Sequence, residues 1–208
     1  MVSRILEDVH QSGLRLASLT VEQYHRMIAT GILPEDPSIE LLDGALVYKD
    51  RSAAGGTPMT VGPAHALVVK RLQRLSSRVE PFGCHLYCQA PVTLSETQEP
   101  EPDGVIARGC PEDYAHRHPS PADVLVAIEV ADSSLAADRT VKMRIYADSG
   151  VPRYVIVNIP DRQIELYEQP LVGQGRYAQV TVLRPGQTLS LPLGPESTLD
   201  VPVEQILP

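Results

Sequence analysis

The chain has 208 residues, 43% of them hydrophobic and 21% charged, a size and mix that suit one globular domain around one sizeable core. Its 26 acidic and 18 basic side chains give a formal net charge of -8, which argues against a broadly basic nucleic-acid-binding surface but leaves room for a local basic face. Aromatic residues are only 4% and tryptophan is absent, so a binding platform of stacked rings is disfavoured.

Residues 1–18 read as a lead-in without the sustained apolar stretch of a signal peptide. Thr20 and Gln23 have the spacing of a capping box, and Val21, Tyr24, Met27 and Ile28 recur at helical spacing until Gly31 and Pro34 end the pattern. From Ile39 to Tyr48 two apolar runs flank Asp43-Gly44, a strong signal for a tight hairpin. Residues 51–62 are small and glycine-rich and read as a loop. A helix is expected over 63–79, with Pro63 in its first turn and Leu67, Val68, Leu72 and Leu75 as the apolar stripe. Its other face carries Lys70, Arg71, Arg74 and Arg78, either a solvated row or a strip facing phosphate.

Strands are expected over 85–94, 104–108 and 124–130, and the last is a nearly continuous apolar run of the kind found in central strands. Ser133 or Ser134 can cap a helix that runs to about Ser149 and stops at Gly150. Two further strands, 153–159 and 163–167, are joined by Asp161-Arg162, and 177–183 with 188–191 read as a peripheral hairpin. The pattern suggests an α/β fold of the mixed α+β kind, a central mixed sheet flanked by helices. One domain over 1–208 is expected, with a core at 20–168 and a C-terminal β extension at 169–208.

Four side chains stand out chemically. Asp103 lies at the entrance to a strand, and Glu129 sits inside the central apolar run, where a carboxylate is costly unless paired or bound to metal. If their strands are neighbours, both can converge at one sheet end as ligands for magnesium, which prefers oxygen donors and retains water. Asp138 and Lys142 share a helical face with Tyr146, either as an ordinary surface ion pair or as part of that site.

The ordered set Ile39-Glu40-Leu41-Leu42-Asp43-Gly44, His65, Pro102-Asp103, Ile128-Glu129-Val130, Asp138, Lys142, Tyr146 and Gly150-Val151 resembles the Uma-type restriction endonuclease family of the PD-(D/E)XK nuclease superfamily. The resemblance spans about residues 20–168. It implies a restriction-endonuclease-like core and Mg2+-dependent hydrolysis of DNA phosphodiesters, with Asp103 and Glu129 as metal ligands. The lysine usual two residues after the second acid is replaced by Ala131, and the family's displaced lysine corresponds to Lys142. Glu40 corresponds to an early acid that completes such sites; by itself it could equally be an exposed strand glutamate.

DNA is therefore the expected partner, and a homodimer would pair two sites, with the proline-rich C-terminus as a plausible interface. The alternative is a catalytically silent nuclease fold that serves as a binding module or scaffold; a carboxylate-pair glycosidase ranks last because aromatic sugar platforms are missing. Three cysteines do not suggest a disulfide framework and fit a cytoplasmic protein. Cys84, Cys88 and His85 could suggest zinc, but buried cysteines are preferred; His116 and His118 read as solvated loop residues, and His65 as a helix cap or packing residue.

Overall fold

The computed structural model describes residues 9, 11–34, 39–49 and 62–208. Most of the glycine-rich loop expected at 51–62, and the first eight residues of the lead-in, lie outside them. Helix α1, Val21–Ala29, opens with the capping box, Thr20 and Gln23 each satisfying the other's backbone amide. Its Tyr24 hydroxyl donates to the Ile39 carbonyl at 2.9 Å and packs with Ile39 and Leu41. That contact fixes the hairpin of β1, Ile39–Leu42, and β2, Ala45–Tyr48. Asp43 and Gly44 at its tip both have positive φ, the backbone that a two-residue type I′ turn demands.

Six strands form the main sheet in their order along the chain: β3 Cys84–Tyr87, β4 Gly104–Arg108, β5 Val124–Ala131, β6 Arg153–Asn158, β7 Gln163–Leu171 and β8 Arg176–Leu183. Only β5 and β6 run parallel, because the segment between them crosses one face of the sheet as helix. β5 is buried along its whole length, as its apolar run implies. Towards its end the two faces separate cleanly. Val126, Ile128 and Val130 enter one core cluster, whereas Ala127 and Ala131 enter the other beside Tyr146 and Tyr154.

Four expectations need correction. The strand expected over 85–94 is only four residues long, and Gln89, with φ of 55°, lies beyond its end. The helix expected over 63–79 divides into α2, Pro63–Gln73, and α3, Ser76–Val79. Its buried side is Val68, Val69, Leu72 and Leu75, while Leu67 is exposed, so the stripe is rotated toward Val69. The helix after β5 is interrupted: α4, Leu135–Ala137, and α5, Met143–Asp148, flank a π-helical turn at Asp138–Lys142.

The fourth correction concerns the C-terminus. Residues 176–183 do not pair with the strand after them but extend the main sheet beside β7. The next hairpin is β9, Thr188–Gly194, with β10, Ser197–Pro202. It is not peripheral: Leu189, Leu191, Leu193, Leu199 and Val201 are buried in the same cluster as α2 and β5. Arg71 and Arg78 donate to the carbonyls of Leu207 and Asp200, so two of the four basic positions on the helical row fasten this segment rather than face phosphate. The apolar side of the C-terminus is thereby covered within the chain.

Burial this deep carries a measurable cost when removed. Leu191→Ala should lower unfolding free energy in urea by about 2–5 kcal/mol, while Val180→Ala on the exposed face of β8 should change it by less than about 0.5 kcal/mol. Equal, small effects at both positions would contradict an integral C-terminal hairpin.

Candidate active site

β4 and β5 are antiparallel neighbours, with Gly104 opposite Ile128. One step beyond that pair, the register sets Asp103 across from Glu129 at one end of the sheet. Asp103 is fixed there by two donors: the Val130 amide at 2.9 Å and His65 Nε2 at 3.1 Å, both on Oδ2. His65 is thus part of the site, in correction of its reading as a cap or packing residue. Burial alone would raise the Asp103 pKa, but the hydrogen bond and charge of His65 and the Val130 amide outweigh it and bring the net shift below the ordinary value.

Glu129 occupies the small space left between Ala127 and Ala131 on its face of β5. Its Oε1 accepts from the Tyr146 hydroxyl at 2.8 Å and lies 3.3 Å from the Lys142 ammonium. The same ammonium is 2.6 Å from Glu40 Oε1. Glu40 is only 2% exposed, so the exposed-glutamate reading of this residue does not hold. The Glu101 amide donates to Glu40 Oε1 at 2.6 Å, and Lys49 reaches the Glu101 carbonyl at 2.6 Å and its carboxylate at 3.3 Å. Lys142 and Asp138 are buried rather than forming a surface pair. Ser134 Oγ donates to Asp138 Oδ2 at 2.6 Å, and Arg139, next in the π-helical turn, is anchored to Glu165 of β7 at 2.6 and 3.0 Å.

Charge is unbalanced here. Burial pushes the Glu129 carboxyl up to about 8, with Asp138, Asp103 and Glu40 adding to the rise and Lys142 opposing it. Burial also raises Asp138 to about 6. Burial alone would lower Lys142, but Glu129 and Glu40 hold its ammonium protonated well above the ordinary lysine value. The Lys142 ammonium meets both Glu40 and Glu129, and Lys49, 3.9 Å from Glu40, is the second lysine near these carboxylates.

Glu40, His65, Asp103, Glu129, Asp138 and Lys142 line one cavity of about 350 Å³, bounded also by Lys49, Asp132 and Ser133. Among the described residues, Oδ1 of Asp103 and Oε2 of Glu129 accept no hydrogen bond from the protein. Asp103 and Glu129 do not join a third His, Cys, Asp or Glu in a cluster whose ligand atoms all lie within 4.8 Å among those residues. The donor set thus offers two carboxylate oxygens in an electron-rich cavity with space for water. That combination fits magnesium, which binds through one or two carboxylates and keeps several waters.

The sequence profile of the Uma2 family, described as "Putative restriction endonuclease", matches residues 21–204. The chain belongs to the Uma2 family. Its fold is that of a nuclease-like protein from Anabaena variabilis, whose crystal structure is titled a "putative nuclease belonging to DUF820". The two agree with a TM-score of 0.61 at 14% identity, over 90% of this chain and 97% of the other. No match was found among curated proteins. As a Uma2 protein the chain is a member of a nuclease-type family, and among its described residues no helix is long and apolar enough to cross a membrane.

The raised Glu129 pKa fixes the sign of a pH effect. Between the ordinary value of 4.5 and about 8 the folded state binds more protons at Glu129 than the unfolded state, so stability falls as pH rises through that window. The loss is absent below 4.5 and complete above about 8. Glu129→Gln should therefore flatten this slope and raise the urea midpoint relative to the parent at pH 8 in EDTA. Superimposable pH profiles for the two proteins would refute the raised carboxyl.

Proposed function

We propose that this cavity hydrolyses DNA phosphodiester bonds with the help of Mg2+, held by Asp103 and Glu129. The observation that carries the reading is the position of Lys142. Ala131, the usual lysine place, is buried on the same face of β5 as Glu129. From the π-helical turn, Lys142 brings its ammonium to within 3.3 Å of Glu129 and so supplies the missing cation.

When bound, the divalent ion would polarise a phosphate oxygen and lower the pKa of a nearby water. The chain's own groups do the rest. Asp103 is oriented by His65 and the Val130 amide, and Glu129 by Tyr146 and Lys142, so both carboxylates are preset in the cavity. Water attacks phosphorus as the bond to the leaving sugar oxygen breaks; the water gives up its proton to solvent, the leaving oxygen takes one from solvent, and negative charge grows on the phosphoryl oxygens. Lys142 stays protonated, which favours donation to that developing charge over removal of a proton from water. Glu40 holds Lys142 in place, and Asp138 adds a carboxylate that can be protonated near pH 6. Two such sites in a homodimer would cut both strands.

The acidic net charge of -8 favours the alternative of a silent fold that only binds. Calorimetry distinguishes the two: a working site binds Mg2+ in wild type and loses it in Asp103→Asn, whereas a silent fold gives no heat in either.

Plasmid nicking with Mg2+ tests the chemistry. Glu129→Ala and Lys142→Ala should each lose about 100-fold or more in rate, the scale of removing a charge-stabilising donor. Glu40→Gln, which acts through Lys142, should lose less. Unchanged cleavage in both alanine variants would sink the assignment.

A further inference from the structure

A second group of metal-ligating side chains lies apart from the cavity described above. His25 projects from α1, Glu99 from the segment that precedes β4, and His118 from the loop before β5. One ligand atom from each comes within 4.8 Å of the others. His118 is half-buried here, not a free loop residue as its sequence context suggests. His25 Nε2 meets Glu99 Oε1 at 2.5 Å, and the rings of His25 and His118 are 6.1 Å apart and almost perpendicular. The Glu99 side chain is only 2% exposed, and its other oxygen accepts from Thr93 Oγ1 at 2.7 Å. A carboxylate so buried, aimed by a hydroxyl, with two imidazoles converging on it, has the form of a ligand held by an outer partner.

We propose that His25, Glu99 and His118 form a zinc site. Two imidazole nitrogens and one carboxylate oxygen are a donor set that zinc accepts at about 2.0–2.2 Å, whereas magnesium prefers oxygen alone. Tetrahedral ligands around zinc stand roughly 3.3 Å apart, so separations that now run from 2.5 Å to no more than 4.8 Å need to change by at most about 1.5 Å. His25 and His118 also line a cleft with Thr93 and Ser120, from which water completes the shell.

The role of this ion is structural. Glu99 donates its amide to the Leu41 carbonyl at 2.8 Å, next to Glu40, and lies four residues before Asp103. Zinc would clamp α1 and the 111–120 loop onto the short run of chain that joins the two acids. It is separate from the Mg2+ site in both location and donor chemistry, and its existence does not depend on nuclease activity.

Zinc chloride titrated calorimetrically into three full-length proteins tests the proposal: wild type, Asp103→Asn/Glu129→Gln, and His25→Ala/His118→Ala. The wild type and the carboxylate variant should both bind zinc at this site, and the histidine variant should bind it at least tenfold more weakly. His25 is 46% exposed and His118 lies in a loop, so their removal should leave the far-ultraviolet circular dichroism unchanged. A second check is cobalt substitution, which should give tetrahedral absorption bands in the carboxylate variant that Glu99→Gln abolishes. Zinc affinity unchanged by the histidine substitutions, or absent from the wild type, would overturn the site.

Discussion

The buried ammonium of Lys142 is the interaction on which the arrangement of the cavity depends. It joins Glu40 from the first hairpin, Glu129 from the central strand and the π-helical turn that carries the lysine itself. Removing the lysine would leave Glu129 buried without its cation, whereas removing either glutamate leaves the ammonium paired with the other. The surrounding groups therefore serve to keep three chain segments in register. Tyr146 fixes the glutamate, the Glu101 amide fixes Glu40, and Arg139 ties the turn back to Glu165 on β7.

That network is short of positive charge, in the sense that five carboxyls, Glu40, Asp103, Glu129, Asp132 and Asp138, line the cavity with two lysines, Lys49 and Lys142, to meet them. A fold optimised only for stability would replace Glu129 by an apolar residue or pair it fully. The unsatisfied demand is most easily understood as room for a cation that arrives from solution. The strain is tolerated because the remainder of the sheet is well packed. Tyr146, Tyr154, Tyr167 and Tyr177 form a continuous aromatic layer over the same face, and their hydroxyls find Glu129, the Asp138 carbonyl, Glu165 and the Val151 carbonyl.

Much of this was legible in the sequence where local rules act. The capping box at Thr20, the Asp43-Gly44 turn and the apolar run of β5 each depend on neighbouring residues alone, and each formed as read. The adjacency of Asp103 and Glu129 was legible only as a condition, and the pairing of β4 with β5 meets it. What could not be read depends on distant partners. The capture of His65 by Asp103 spans 38 residues, and the fastening of Arg71 to Leu207 spans 136. The π-helical turn left no mark because Asp138 and Lys142 keep the i, i+4 spacing of an α-helix and neither Gly nor Pro interrupts the segment. The C-terminal hairpin was misplaced because alternating apolar residues reveal a buried face without naming the surface that buries it.

The span of Lys142 to Glu40, 102 residues along the chain, also bears on how the molecule comes into being. Contacts this remote close late, because the entropy of a long loop must be overcome before they return any energy. The acids and the lysine are thus brought together only as the whole sheet and its C-terminal cover condense. A partly folded chain has the charges but not their geometry, so the cavity exists only once the architecture around it is complete.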